Sequence, residues 1–247
     1  MIIKEFGKKN KDVVILLHGG GLSWWNYKDV SELLKEKYHV ILPILDGHSG
    51  SDKDFISIEE NAKEIIEFID NNYKGHVKLI SGLSLGGQIL LEILSIREKI
   101  CDFAIIESAL VYKMKITNKL IASSIKMSHF LINKLWFSKL KFNSLKIKED
   151  LFNYYYEDTK KLTTKNMISF MKANTNYTIK NELSNCKSRV LIVVGRKEKA
   201  IMIKSAFKIH EMLPNSKIEI IESYYHGDLS INHAYNFVKI VNELIGV

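Results

Sequence analysis

The sequence predicts an α/β protein with a doubly wound, mostly parallel sheet, and three observations lead to this fold class. Short β-branched runs recur along the chain, and their nearly continuous apolar character is typical of parallel strands buried on both faces. Helical patterns separate these runs, which is the alternation expected of βαβ units. One long region without any strand pattern interrupts the alternation. The predicted strands are Val13–Leu17, His39–Leu42, Val77–Ser81, Cys101–Ile106, Val190–Val194 and Lys217–Ile221.

Helices are predicted where apolar residues recur at helical spacing between and after the strands. These segments are Tyr27–Lys37, Ile58–Tyr73, Leu85–Ile96, Ile201–Leu213 and Ile231–Ile245.

The interrupting region, residues 111–188, is helical and aromatic in pattern. We predict that it forms a helical cap, or lid, over the carboxyl ends of the strands, where α/β proteins bind ligands. Residues 1–110 and 189–247 would then form the core, and the alternative is that the inserted helices simply complete that core. Within Leu120–Phe137 the apolar spacing predicts one broad buried face, made of Leu120, Ile121, Ile125, Met127, Leu131, Ile132, Leu135 and Trp136.

Composition narrows the class of protein. The 247 residues, 46% of them hydrophobic, suffice for one sizeable core, and the net charge is +8. Only three arginines occur, and the lysines alternate with acidic residues in several places, so we expect a solvated surface rather than nucleic-acid binding. A functional basic patch is the alternative. Met1–Glu5 does not resemble a secretory signal, and no apolar run approaches the ~20 residues that span a bilayer, so we expect a cytoplasmic protein without stable membrane insertion.

The strongest motif is Gly-x-Ser-x-Gly at residues 82–86. It lies between the predicted strand Val77–Ser81 and the predicted helix that begins at Leu85. A nucleophile elbow requires this order, because the serine hydroxyl must stand exposed on a tight turn while glycines admit the neighbouring backbone. Ser84 is therefore the predicted nucleophile, and the alternative is a structural serine in a glycine-rich turn.

A second motif, His18-Gly19-Gly20-Gly21, follows the first predicted strand. Its glycines can present backbone N–H groups without obstruction by side chains. Acyl transfer needs such donors for the oxygen that becomes negative in the tetrahedral intermediate. We predict that the N–H groups of Gly20 and of Leu85, directly after Ser84, form an oxyanion hole. His18 is expected to brace this loop, and a glycine turn without any partner anion is the alternative.

These motifs resemble the α/β-hydrolase superfamily, specifically its capped esterase and lipase-like members. Residues 43–51 are similar to the family's Gly-His-Gly-x-Ser turn, with Ser49 where glycine is usual. Residues 19–27 also resemble the carbon–carbon bond hydrolases of aromatic ring degradation. Gly21, Trp24 and Trp25 are accordingly the candidate substrate-binding residues.

The resemblance implies the chain order serine, acid, histidine. His226 lies on the loop after the last predicted strand and is the predicted base, with His233 as its nearby competitor. The family pattern places an acid three residues after Gly195, which favours Glu198. Glu107, at the end of another strand, is the alternative acid. Asp102 and Asp228 are less favoured than either glutamate.

The sequence thus predicts a serine hydrolase that cleaves a carboxylic ester of a small or acyl-chain substrate through an acyl-enzyme on Ser84. A carbon–carbon bond or thioester hydrolase of the same fold is the alternative, as is a member that binds a ligand without turning it over. No metal or organic cofactor is expected, and the two cysteines show no metal-ligand spacing. A small-molecule ester is the expected partner, and the sequence gives no indication of the oligomeric state.

Overall fold

The computed structural model describes residues 1–246. Seven strands form one sheet in the order β1-β3-β2-β4-β5-β6-β7. All neighbouring pairs are parallel except β1 and β3, which run antiparallel with Ile2 opposite Ile44. The doubly wound fold class is therefore confirmed. The strands are β1 (Ile2–Phe6), β2 (Val13–Leu17), β3 (His39–Ile44), β4 (Val77–Leu83), β5 (Cys101–Glu107), β6 (Arg189–Gly195) and β7 (Ser216–Ile221).

The helices pack on both faces of this sheet. One apolar cluster joins the sheet to the helices over residues 58–73, 85–96 and 200–212, and a second joins it to those over residues 28–34 and 234–245. All six predicted strands are present, whereas the edge strand β1 was not predicted. The α-helices are α1 (Lys28–Leu34), α2 (Ile58–Tyr73), α3 (Leu85–Ile96), α4 (Lys115–Ser128), α5 (Leu135–Ser144), α6 (Phe152–Lys161), α7 (Thr164–Asn176), α8 (Ala200–Met212), α9 (Asp228–Asn232) and α10 (Ala234–Ile245).

Two helix predictions match α2 and α3 residue for residue. Ser57 directly precedes α2 as its N-cap, and its side chain accepts a hydrogen bond from the amide of Glu60. Such a cap satisfies one of the amides that a helix start leaves without a partner. The last predicted helix was wrong as a single element, because the backbone leaves the helical region at His233 and separates α9 from α10.

The inserted region between β5 and β6 is helical and holds α4 to α7. Its predicted buried face was wrong in part. Ile121 and Ile132 are buried, but Leu120, Met127 and Trp136 point into solvent. Within α4, Leu120 and Met127 lie on a different side of the helix from the buried Ile121. A 3-10 turn at His129–Leu131 and a bend then follow α4, so Trp136 does not continue the face of that helix.

The end of the inserted region joins the core. The 3-10 turn Asn181–Asn185 packs against α3, and its Leu183 is fully buried in the cluster below the sheet. Lys180, just before this turn, pairs with the buried carboxylate of Glu92. The inserted region therefore contributes to the core at its carboxyl end. Along residues 1–246, no helix has the length and apolar character needed to cross a membrane.

Candidate active site

Ser84 stands on a strained turn between β4 and α3. Its backbone lies at φ +53°, ψ −109°, a region that residues with a side chain rarely occupy and that costs about 1–3 kcal/mol. The turn fits because of its glycines. A Cβ on Gly82 would lie 2.3 Å from the Gly86 carbonyl oxygen, and a Cβ on Gly86 would lie 2.2 Å from the Leu17 carbonyl oxygen. The backbones of β4, the turn and α3 thus lie too close together for a side chain at either glycine. Ser84 stands at the carboxyl end of β4.

His226 and Glu198 form a hydrogen-bonded pair beside this turn. The imidazole Nδ1 lies 2.7 Å from Glu198 Oε2, in the loop after β7. The other carboxylate oxygen, Oε1, accepts from the Ser108 hydroxyl at 2.6 Å and from the Gly195 amide at 2.9 Å. Burial alone would raise the pKa of Glu198, but the hydrogen bonds from His226, Ser108 and Gly195 hold that pKa below its usual value. Glu198 is therefore a charged, fully engaged carboxylate that fixes the imidazole.

Glu107 is close to this pair but is not bound to it. Its Oε1 accepts from the amides of Leu229 and Ser230, at 3.1 and 3.3 Å, at the start of α9. Burial raises the pKa of Glu107 to about 7. Of the two acids that the sequence left open, Glu198 is the one in contact with His226.

The less favoured acids, Asp102 and Asp228, and the competing histidine, His233, make other contacts and do not bind His226. Asp102 binds His76 and Lys78 near the amino ends of β4 and β5. The Asp228 carboxylate accepts from the Tyr225 amide and so closes its own turn. The ring of His233 stacks on Tyr224, with ring centroids 4.4 Å apart.

The glycine loop after β2 offers one unoccupied amide. The N–H of Gly19 donates to the Asn26 side chain, and the N–H of Gly21 donates to Nε2 of His48. Among the described residues the N–H of Gly20 has no acceptor, and a Cβ on Gly20 would touch the Leu85 side chain at 3.5 Å. Leu85 is the first residue of α3, where helix amides lack an acceptor within the helix. Gly20 and Leu85, the residues that carry the two predicted oxyanion donors, are thus neighbours.

Two buried histidines hold this loop. In His18, Nδ1 donates to the Gly19 carbonyl and Nε2 accepts from the Leu45 amide. His48 packs against His18 edge-on and stacks on Phe170, with ring centroids 4.9 and 4.5 Å apart. Burial lowers the pKa of His18 to about 3 and that of His48 to about 4. Both rings are therefore neutral and serve as uncharged braces.

A cavity of about 490 Å³ joins these groups. Ser84, Gly20 and His226 line it, together with residues of the inserted helical region such as Phe170. Most of its lining side chains are apolar, and its charged lining residues are Glu198 and three lysines. The apolar lining residues are Leu22, Leu83, Met114, Leu145, Ile147, Phe170, Met171, Ile201, Met202 and Ile231, and the lysines are Lys146, Lys197 and Lys199.

The structure does not bring the candidate substrate-binding residues to this cavity. The buried Trp25 donates its indole N–H to Asp158 of α6 at 2.8 Å. Trp24 meets Tyr154 of the same helix edge-on, at 5.8 Å between ring centroids. Gly21 is engaged with His48, as described above. Trp24 and Trp25 thus attach the inserted region to the core, and none of the three residues lines the cavity.

Sequence reasoning missed several residues of the site. Ser108, which holds Glu198, follows β5 directly and has φ +53°. Its position just past a strand at the carboxyl edge of the sheet was an available signal. Asp158, which binds both Trp25 and the Ser49 hydroxyl, had no signal in the sequence. Along residues 1–246, no group of three or more histidine, cysteine or acidic side chains is arranged to hold a metal ion.

The sheet topology and the serine turn between strand and helix define the class of α/β hydrolases. A family model described as "Serine aminopeptidase, S33" (Hydrolase_4) matches residues 8–230, and the chain belongs to this family. A search of curated protein sequences gave no match.

Solved structures of the same fold cover almost the whole chain. An esterase (EaEST) from Exiguobacterium antarcticum has a TM-score of 0.83 and 19% identity, and 99% of this chain and 95% of that chain are covered. A bromoperoxidase from Bacillus anthracis has a TM-score of 0.83 and 18% identity, with the same two coverages. A lipase-esterase related protein from Clostridium acetobutylicum ATCC 824 has a TM-score of 0.79 and 19% identity, with 98% of each chain covered. At these identities the likeness concerns the fold.

Proposed function

We propose that this protein hydrolyses carboxylic esters through an acyl-enzyme on Ser84. The observation that carries the proposal is the hydrogen-bonded Glu198–His226 pair, which lines the same cavity as the strained Ser84 turn. A nucleophile, a base and a group that orients the base are the parts required to activate a serine. Membership in a family of serine hydrolases supports this assignment.

The mechanism starts from the imidazole tautomer. Because Nδ1 of His226 faces a charged carboxylate at 2.7 Å, the proton resides on Nδ1 and Nε2 keeps a free electron pair. Nε2 takes the hydroxyl proton as Ser84 Oγ attacks the ester carbonyl carbon. The amides of Gly20 and Leu85 stabilise the oxyanion, and His226 then gives its proton to the departing alcohol. Water attacks the acyl-enzyme with the same histidine as base, which releases the acid and frees Ser84.

The charges that line the cavity support an ester over an amino-terminal peptide as the proposed substrate. A serine aminopeptidase has to accommodate the charged α-amine of a peptide, for which a free carboxylate is the natural partner. Within the described residues, the one carboxylate that lines the cavity is Glu198, and both of its oxygens are already bound. The remaining charges are lysines, which repel an amine. An apolar acyl or aryl ester, neutral or anionic, fits this lining better than an amino-terminal peptide.

Turnover of model substrates tests the proposal. We expect p-nitrophenyl esters of short and medium acyl chains to be hydrolysed, and aminoacyl p-nitroanilides to react far more slowly or not at all. Ser84→Ala and His226→Ala should each lower kcat by at least about 10⁴-fold. Ser184→Ala, a change at an exposed serine of the 3-10 turn after α7, is the matched control and should keep wild-type rates. Ester turnover that survives Ser84→Ala would refute the mechanism, and ligand binding without turnover would favour a non-catalytic member of the fold.

A further inference from the structure

The inserted helical region carries large apolar side chains that face solvent. Seven of them are between 57% and 79% exposed, within 25 consecutive residues. On α4, the residues Ile116, Leu120 and Met127 are four and seven positions apart, which places them on one side of the helix. The buried Ile121 of α4 lies on the other side. The seven residues are Ile116, Leu120, Met127, Phe130, Leu135, Trp136 and Leu140.

The same stretch carries the net charge of the whole protein. Residues 108–148, here called the lysine-rich segment, hold nine lysines and no acidic residue. The whole chain has 36 lysines and arginines and 28 acidic residues. Outside the segment, 27 basic residues are therefore balanced by all 28 acidic residues of the chain. Lys139 and Lys148 pair with carboxylates, whereas the other seven lysines have no carboxylate partner within residues 1–246. The nine are Lys113, Lys115, Lys119, Lys126, Lys134, Lys139, Lys141, Lys146 and Lys148.

On α4 the charged and apolar side chains are segregated. Lys115, Lys119 and Lys126 each directly precede an exposed apolar residue of the stripe, so they flank that stripe along one side. A helix that carries apolar and lysine rows side by side on its outer surface is typical of elements that lie in the headgroup region of a bilayer. Monomeric proteins rarely leave a contiguous apolar surface of this kind without a partner.

The lysine-rich segment also leads to the cavity. Met114, just before α4, lines the cavity that contains Ser84, and so do Ser144 and Leu145 at the end of α5. The chain therefore leaves the lining of the cavity, presents its exposed apolar side chains, and returns to the lining. A surface bound to this segment would lie near the cavity that contains Ser84.

We propose that the lysine-rich segment docks the protein on an anionic lipid surface. The exposed apolar side chains would enter the boundary between headgroups and acyl chains, and the unpaired lysines would lie among anionic headgroups. Charge complementarity favours this occupant over a second copy of the chain, because two such segments would bring nine lysines against nine. Nucleic acid would match the charge but would leave the apolar row in water, and the segment contains no arginine for phosphate recognition.

Vesicle flotation tests the proposal without reference to catalysis. Ser84→Ala protein should float with vesicles that contain phosphatidylglycerol and should remain unbound with phosphatidylcholine alone. Binding should weaken as salt is raised, because the lysines act through a screened surface potential. Trp136 supplies a second readout, since it is the most exposed of the three tryptophans and its fluorescence should be quenched by brominated lipid.

Two variant pairs locate the surface. Replacing Lys115, Lys119 and Lys126 by Gln should weaken partitioning by roughly 100-fold, at about fivefold for each lysine. Lys9, Lys11 and Lys37 are exposed and precede β2 and β3, at the amino ends of these strands, whereas the cavity lies at their carboxyl ends. Their replacement by Gln removes the same charge and serves as the control. The apolar pair Met127→Ser and Trp136→Ser should also weaken binding, whereas the exposed pair Phe207→Ser and Tyr235→Ser should not.

Three results would overturn the proposal. The first is the absence of phosphatidylglycerol-dependent flotation at low salt. The second is equal weakening by the test and control lysine variants, which would mean that only net charge matters. The third is a stable dimer by light scattering that dissociates in the Met127→Ser and Trp136→Ser variant, because the apolar row would then be a contact between copies. Circular dichroism of each variant shows whether it is folded, and an unfolded variant is replaced by its single-site versions.

Discussion

Glu107 offers a sharp test of the site electrostatics, because it is a buried acid whose carboxylate makes no hydrogen bond to Ser84, Glu198 or His226. It is 2% exposed and accepts hydrogen bonds from the amides of Leu229 and Ser230. Burial raises its pKa from the ordinary 4.5 to about 7. The substitution Glu107→Gln keeps the shape and the accepting oxygen but removes the titration.

The magnitude follows from the two pKa values. A rise from 4.5 to about 7, at about 1.4 kcal/mol for each pKa unit, corresponds to roughly 3 kcal/mol. The sign is set by the raised pKa in the folded state: stability from the neutral form is complete below pH 4.5 and is lost as pH rises through 7. Relative to Glu107→Gln, the wild type should therefore lose about 2 kcal/mol of unfolding free energy between pH 5.5 and pH 8.5.

Urea unfolding at these two pH values, followed by circular dichroism, measures this difference. Glu211→Gln, at an exposed position of α8, is the matched control and should show a pH-independent difference from wild type. The Glu107→Gln enzyme should also keep ester turnover within a few-fold of wild type. A constant offset between wild type and Glu107→Gln at both pH values would refute the electrostatic reasoning. A large loss of turnover would instead make Glu107 part of the catalytic group.

Three further changes test other parts of the structure. Glu198→Gln should lower kcat/KM by about 10³–10⁴-fold, because an amide N–H facing Nδ1 favours the wrong imidazole tautomer; near-normal rates would contradict this. Gly86→Ala should abolish folding, because the new Cβ would lie 2.2 Å from a backbone oxygen. Gly21→Ala, at φ +75° with no atom near the new Cβ, should lower the free energy of unfolding by only about 1 kcal/mol. Circular dichroism melts of the two variants check this difference. Asp158→Ala should lower the unfolding free energy by about 1–3 kcal/mol, because a buried indole N–H loses its acceptor, and no change relative to the exposed Asp150→Ala would count against that contact.

Strands that are buried on both faces of the sheet could be predicted from the sequence, because such strands are nearly continuous in apolar residues. Strand β1 escaped prediction since it is a partly exposed edge strand in which Lys4 and Glu5 interrupt the apolar run. The exposed apolar side chains of α4 and α5 show a second limit of prediction from sequence, since their apolar character predicted burial. Helical periodicity indicates which residues share a face, but it does not indicate whether that face meets the core or something outside the chain.

In the site, the order of motifs along the chain sufficed to nominate Ser84 and His226. It favoured Glu198 but left Glu107 as an alternative, because the two acids lie at the carboxyl ends of the neighbouring strands β5 and β6. The choice depends on which hydrogen-bond donors reach each carboxylate, and the donors to Glu107 are amides at the start of α9. The placement of Trp25 was equally inaccessible, since its partner lies 133 residues away in the chain.

Covalent labelling is the most direct test of the central claim that Ser84 is an activated nucleophile. Wild-type protein would be treated with a fluorophosphonate probe, digested, and analysed by mass spectrometry to locate the adduct. The account predicts one adduct on the peptide that contains Ser84, loss of labelling in Ser84→Ala, and strongly slowed labelling in His226→Ala. Folded wild-type protein that does not label, or an adduct that persists on another residue in Ser84→Ala, would contradict it.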